Sequence, residues 1–288
     1  MARALVPERP VLVAPGAFPG RFRAAEVAGS IGRGLERAGL MPPDLCPVAG
    51  GGAGTIDALV PALGGELVAA DVHDAQGRAT RAHVALLEDG GTALVETIAA
   101  LGPLPGGSSR GAGELICAAA ATGAPVIVVA AAGAAAGDDG AAALEAITEQ
   151  GGLGGARLVI LADVRAAIGG AAGGLAGALA GVRGAGLEHG APWVLGVLGF
   201  DARMRAARAV VTGEGTLDER TLRGGVVGEI GTRARQGGVP LHAVVGRDAL
   251  DAFGKRIIDL QVVVEATTAE ELEAAGERLG RALATGAA

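Results

Sequence analysis

Two carboxylates in a glycine-rich turn, Glu214 and Asp218, are the residues of this chain best arranged for proton transfer or anion handling. They lie in Val210-Val211-Thr212-Gly213-Glu214-Gly215-Thr216-Leu217-Asp218, with Thr221, Arg223 and Gly224 just beyond. The apolar run 209–211 reads as a buried strand that stops at the turn, and a helical pattern resumes near Glu219. Strand, loop and helix start in that order place polar groups at the carboxyl end of a sheet strand, where open α/β folds bind ligands. The free N–H groups of a helix start favour an anion, so phosphate or a small acid is the implied ligand class. The same Gly and Asp residues also serve turns and helix caps, and the pattern alone leaves that reading open.

Two further turns carry comparable chemistry. Gly51, Gly52 and Gly54 precede Thr55, an expected N-cap, so backbone amides there could face an anion or simply form a tight turn before a helix. Asp138 and Asp139 follow Gly133 and the apolar run 126–131. Adjacent carboxylates suit Mg²⁺, which commonly takes one or two of them besides water and phosphate. They equally suit an N-cap and a first-turn charge.

The elements that must position these residues alternate. Six β-branched runs, 11–14, 45–48, 126–131, 209–212, 241–245 and 260–264, are mostly followed by turns and by helix-period segments such as 24–38, 113–121, 219–235 and 269–284. That is the alternation of a mostly parallel, doubly wound sheet. Runs 66–70, 79–87 and 92–98 are separated by Asp74-Ala75-Gln76-Gly77 and Asp89-Gly90-Gly91, which read as hairpin turns of an antiparallel insert. A second excursion, 151–190, is rich in Gly and Ala. Leu175, Leu179 and Val182 recur at helical spacing there, predicting closely packed helices.

Composition narrows the function classes. The 288 residues carry 50% hydrophobic residues, enough for a sizeable core. A net charge of −7 opposes a general nucleic-acid surface. No apolar window is long enough to span a membrane and the first residues lack a signal-peptide core, so a cytoplasmic location is expected. Cys46 and Cys117 lie in apolar stretches without metal spacing and read as buried, inert thiols. Of the 24 basic residues only Lys255 is lysine, so cationic chemistry must come mostly from arginine, helix N-termini or metal.

Four ordered segments resemble the bacterial type I glycerate kinases. The turn at 212–224 matches T-G-E-G-x-x-D-x-x-T-x-x-G, and Ser109-Arg110-Gly111-Ala112-Gly113-Glu114-Leu115-Ile116 matches S-x-G-x-G-E-L-I. Val11-Leu12-Val13-Ala14-Pro15-Gly16-Ala17-Phe18, with 24–28, resembles the family's first strand, A-P-D-S-F-K turn and helix. Ala49-Gly50-Gly51-Gly52-Ala53-Gly54-Thr55 stands where the family has A-D-G-G-E-G-T. The resemblance implies ATP-dependent phosphorylation of D-glycerate, with ATP and Mg²⁺ as cofactors and a small hydroxy acid as substrate. It implies neither nucleic acid nor membrane as partner, and allows a homo-oligomer.

By the same resemblance, Glu214, Asp218 and Asp163 are the expected catalytic carboxylates and Asp138 and Asp139 the metal ligands. Gly51, Gly52, Gly54, Thr55, Gly133, Thr212, Gly213, Gly215, Thr221 and Arg223 are the expected phosphate and substrate contacts. The fold implied is a Rossmann-like, mostly parallel domain (1–65, 106–150 and 191–288) with a second, inserted and trimmed α/β domain (66–105 and 151–190). The trimming follows Asp163-Val164, where the chain passes almost directly to 169–175 and most of an expected family segment is missing. Gly16, Ala17, Pro19, Gly50, Ala53 and Gly225 replace polar or charged family residues. A degenerate active site is therefore expected, with a catalytically inactive binder of nucleotide, small acid or protein as the alternative.

Overall fold

The structure, a computed structural model, describes residues 9–102, 106–133, 135–162 and 174–285. Its first elements are β1 (Val11–Pro15), α1 (Ala24–Arg37), β2 (Asp44–Leu45), α2 (Thr55–Leu63), β3 (Gly65–His73), β4 (Ala79–Leu87), β5 (Thr92–Glu96) and α3 (Ile98–Leu101). Then come α4 (Arg110–Ala121), β6 (Val126–Ala130), α5 (Ala141–Glu149), β7 (Arg157–Ala162), α6 (Leu175–Ala180), β8 (Gly186–His189) and α7 (Gly190–Val197). The last are α8 (Phe200–Ala206), β9 (Ala209–Glu214), α9 (Val226–Gly237), β10 (Leu241–Val245), α10 (Ala252–Ile257), β11 (Leu260–Glu265) and α11 (Ala269–Thr285). The protein is α/β with mostly parallel strands in two sheets, as the alternation predicts. It divides into two compact units, residues 1–48 with 195–288, and residues 49–194.

In the first unit the strands are all parallel, in the order β11-β10-β9-β1-β2. Val11, Val13, Val211, Val244 and Val264 face α1 and α11, meeting Ile31, Leu35, Leu272 and Leu279. The alternate residues Leu12, Val210 and Ala243 are equally buried, as in a strand covered on both faces, and α9 packs on β9 and β10. Helices α1 and α11 approach so closely that a methyl group at Gly34 would overlap the Glu273 carbonyl, and one at Gly276 the Ile31 carbonyl. Part of the Gly excess thus buys helix contact rather than loop flexibility.

The second unit holds the order β3-β4-β5-β6-β7-β8, with β5 to β8 parallel and β3–β4–β5 antiparallel. Ile127, Val129, Leu158 and Ile160 pack with Leu115, Ile116, Leu175 and Leu179 on one face. The hairpins at 66–98 belong to this sheet, apart from the sheet built on β1 and β11.

Several expectations differ from what is observed. Residues 106–150 were expected with the chain ends, yet β6 is hydrogen-bonded between β5 and β7 and falls in the 49–194 unit. Its apolar run satisfies either sheet, and only its pairing partners decide. The segment 151–190 contains β7 and β8, two sheet strands that helix periodicity does not reveal. The helix expected over 219–235 is split into a 3₁₀ turn at Thr221–Arg223 and α9, because Gly224 adopts φ 119° and breaks the helical path.

Gly34→Ala and Gly276→Ala are expected to lower stability by about 1–3 kcal/mol through overpacking of the α1–α11 seam. Gly196→Ala, where an added methyl meets open space, serves as the neutral control in thermal unfolding.

Candidate active site

In the first unit the chain leaves β1 for β2 on one side, while β9, β10 and β11 follow one another on the other. Strand order therefore reverses between β1 and β9, and the carboxyl ends of these two strands flank the crevice where open parallel sheets take ligands. The turn carrying Glu214 sits there. It is tied to both neighbouring strand ends: the Gly16 N–H donates to the Gly213 carbonyl (2.8 Å), and the Gly246 N–H to the Glu214 carbonyl (3.1 Å). The Leu217 N–H donates to the Arg247 carbonyl (2.9 Å). A side chain at Gly213 would overlap the Val244 carbonyl, so glycine is required by this packing. The Thr212 hydroxyl donates to the Ala14 carbonyl (2.9 Å), which spends it on joining β9 to β1.

Glu214 emerges from this scaffold into a nearly buried position. Burial pushes its carboxyl up to about 7, against a hydrogen bond from the Thr221 hydroxyl that favours the ionised form. That hydroxyl lies 2.5 Å from Oε1 and itself accepts from the Asp218 N–H at 3.2 Å. Asp218 adds a like charge that raises the Glu214 pKa further, and Arg220 partly offsets it. Asp218 differs in kind. Arg220 grips its carboxylate through Nε (3.0 Å) and Nη2 (2.7 Å), and this hydrogen bonding holds Asp218 below the usual carboxylate range. One turn thus carries a carboxyl poised near neutrality and another kept ionised, the divergence that separates acid–base roles in one site.

In the second unit the glycine turn at 50–54 lies over the carboxyl ends of β6 and β7. The Ala132 N–H donates to the Gly51 carbonyl (3.1 Å), and side chains at Gly51 or Gly52 would overlap Gly190 or the Ala132 carbonyl. Thr55 is not the N-cap expected of it. Gly54 caps α2, and the Thr55 hydroxyl donates back to the Gly52 carbonyl (2.6 Å), because that carbonyl lies within the hydroxyl's reach.

Asp138 follows the capping alternative. Its Oδ2 accepts from the Ser109 N–H (2.8 Å) and its Oδ1 from the Gly140 N–H (3.1 Å). Although burial opposes ionisation, these bonds hold its pKa down. Asp139 is exposed at φ 51° and, among the described residues, makes no hydrogen bond or ion pair. Gly133 is exposed with open space around it.

Glu214, Asp218, Thr212, Gly213, Gly215, Thr221 and Arg223 therefore belong to one unit, and Gly51, Gly52, Gly54, Thr55, Gly133, Asp138 and Asp139 to the other. Asp163 lies outside the described residues. Arg223 meets Glu219 at 3.6 Å, and Lys255 meets Asp248 at 2.5 Å. Sequence reasoning missed Arg220, the actual partner of Asp218, although its place two residues on in an Asx-type turn was a usable signal. Cys46 and Cys117 are buried free thiols; burial pushes Cys46 up to about 11. Among the described residues no cluster of three or more His, Cys, Asp or Glu could hold a metal, and no helix is long and apolar enough to cross a membrane.

Comparison with known proteins gives a consistent answer. A family model described as the glycerate kinase family matches residues 11–152 and 155–286. The glycerate kinase of Bacillus subtilis (strain 168) is 35% identical over 121 residues, 38% of this chain and 31% of that relative. The match thus spans under a third of the relative's length. A crystal structure of a protein provisionally assigned as glycerate kinase 2 of Salmonella typhimurium LT2 superposes with a TM-score of 0.78 at 23% identity, covering 97% of this chain and 99% of that one. At that identity the likeness is one of fold.

The raised Glu214 pKa has a stability consequence. Its ordinary value is 4.5 and its folded value about 7, so the folded state holds this proton more tightly than the unfolded chain. The associated stability is present below about 4.5 and lost as pH rises through about 7. Glu214→Gln is expected to gain up to about 3 kcal/mol relative to the parent between those limits, with little difference below them, measured by denaturant unfolding at pH 4.5 and 8.

Proposed function

The chain belongs to the glycerate kinase family, and from that premise we propose that it transfers the terminal phosphoryl group of ATP to a hydroxyl of D-glycerate, yielding phosphoglycerate. The observation that carries this reading is the Glu214 carboxyl, raised by burial to about 7 at the crevice between β1 and β9. A base of that pKa is matched to taking a hydroxyl proton at neutral pH. Thr221 orients the carboxylate. Asp218, kept ionised by Arg220, holds negative charge beside it and does not compete for the proton. The backbone of Gly213 and Gly215, with Arg223, lines the acid subsite.

Nucleotide phosphates are assigned to the second unit, at Gly133, whose surroundings are open. Asp139 is the carboxylate available for Mg²⁺, since both Asp138 oxygens are occupied. One carboxylate with water and phosphate oxygens meets the octahedral demand of the ion. Mg²⁺ held there would neutralise charge on the nucleotide phosphates. Gly16, Ala17, Pro19, Gly50 and Ala53 supply no side-chain charge, so transition-state stabilisation is reduced and turnover slow.

A coupled ADP-release assay with D-glycerate, ATP and Mg²⁺ tests this reading. Slow turnover is expected, rising with pH through about 7, and Glu214→Gln should reduce it by about 10²–10³. Thr221→Ala removes the bond that favours the ionised carboxylate and should move the pH midpoint upward. Turnover indifferent to both substitutions would place the chemistry elsewhere.

A further inference from the structure

The turn before α2 looks from its sequence like a cradle of unoccupied amides, and the structure fills it from within. Glu96, the last residue of β5, lies 40 positions beyond Ile56, yet its Oε1 accepts the Ile56 N–H at 2.7 Å. The N–H groups of Gly54 and Thr55 also favour the ionised form of this carboxylate, the Thr55 N–H while donating to the Gly52 carbonyl (3.2 Å). No side chain of the turn itself caps the helix: the N-cap is Gly54, at φ 83°, and the Thr55 hydroxyl is turned back to Gly52. The first amides of a helix require an acceptor, and a carboxylate there gains both the hydrogen bonds and the favourable end of the helix dipole.

We infer that Glu96 is a positioning residue, the resident anion of the α2 N-terminus, which fixes the 50–54 turn over the carboxyl ends of β6 and β7. The turn is then held from two directions. Glu96 anchors its exit into α2, while the Gly51 carbonyl is held by the Ala132 N–H (3.1 Å) at its start. An external phosphate approaching the start of α2 meets Thr55 and Ile56 amides that are already satisfied, so the α2 N-terminus is closed to it. Glu96 does this whatever reaction the protein catalyses, and its test requires no turnover. Burial raises the Glu96 pKa above its ordinary value, and the amides of Ile56, Gly54 and Thr55 act against that rise.

Amide hydrogen exchange read by NMR on the full chain, with thermal unfolding alongside, tests the assignment. Glu96→Ala should speed exchange at Gly54, Thr55 and Ile56 by about tenfold or more, the loss of hydrogen bonds to a charged group, while β9 and β10 amides keep their rates. Acetate should then restore protection and raise the unfolding midpoint of Glu96→Ala, leaving the parent unaffected. Inorganic phosphate should protect these amides in Glu96→Ala and not in the parent. Glu96→Gln keeps one oxygen acceptor and fills the site, so it should fold and show a smaller acceleration at the same amides. Unchanged exchange at residues 54–56 in Glu96→Gln and Glu96→Ala, or phosphate protecting them in the parent, would overturn the assignment.

Discussion

A largely buried carboxyl at the end of a central strand, with a single hydroxyl donating to it, is the constraint on which the first unit is organised. Burying a charge is costly unless donors surround it, and Glu214 is given one donor, Thr221. Its proton affinity rises in consequence. Keeping it there requires strand ends that cannot slide, which is what the bonds from Gly16 and Gly246 provide. The turn also positions its own partner: the Asp218 N–H fixes the Thr221 oxygen, and Arg220 fixes Asp218. The carboxyl of raised proton affinity, the hydroxyl that donates to it and the neighbouring ionised carboxylate are thus one short stretch of chain folded onto one strand end.

Glycine plays two parts that composition alone cannot separate. At Gly34 and Gly276 it lets two helices meet; at Gly213 and Gly52 it lets a turn meet a neighbouring carbonyl. A loop rich in Gly is therefore no sign of a phosphate cradle in this chain until its amides are accounted for. At 50–54 the accounting leads to Glu96; at Gly133 the surroundings are open. Asp138 teaches the same lesson for carboxylates, since its oxygens serve Ser109 and Gly140.

What was legible in the sequence follows from the range of each interaction. The strand at 209–212, its glycine turn and the presence of Glu214 and Asp218 in that one turn are local, and periodicity exposes them. The family was legible because its motifs are contiguous. Partners far along the chain were not: Glu96 acts on a helix 40 residues earlier, and an apolar stretch such as 126–130 carries no mark of whether β5 or β1 will pair with it. β8 was invisible because its residues are largely exposed, leaving no alternation to read. Thr55 was mistaken for a cap because Ser and Thr before a helix usually cap it, whereas here a nearby carbonyl draws the hydroxyl away.

The central claim is that burial, with a smaller contribution from the Asp218 charge, places the Glu214 carboxyl near neutrality. Carbon-13 NMR titration of the Glu214 side-chain carboxyl reads this directly. A midpoint near 7, falling toward the ordinary value of 4.5 on unfolding, is the predicted result. A midpoint of about 4.5 in the folded protein would contradict it.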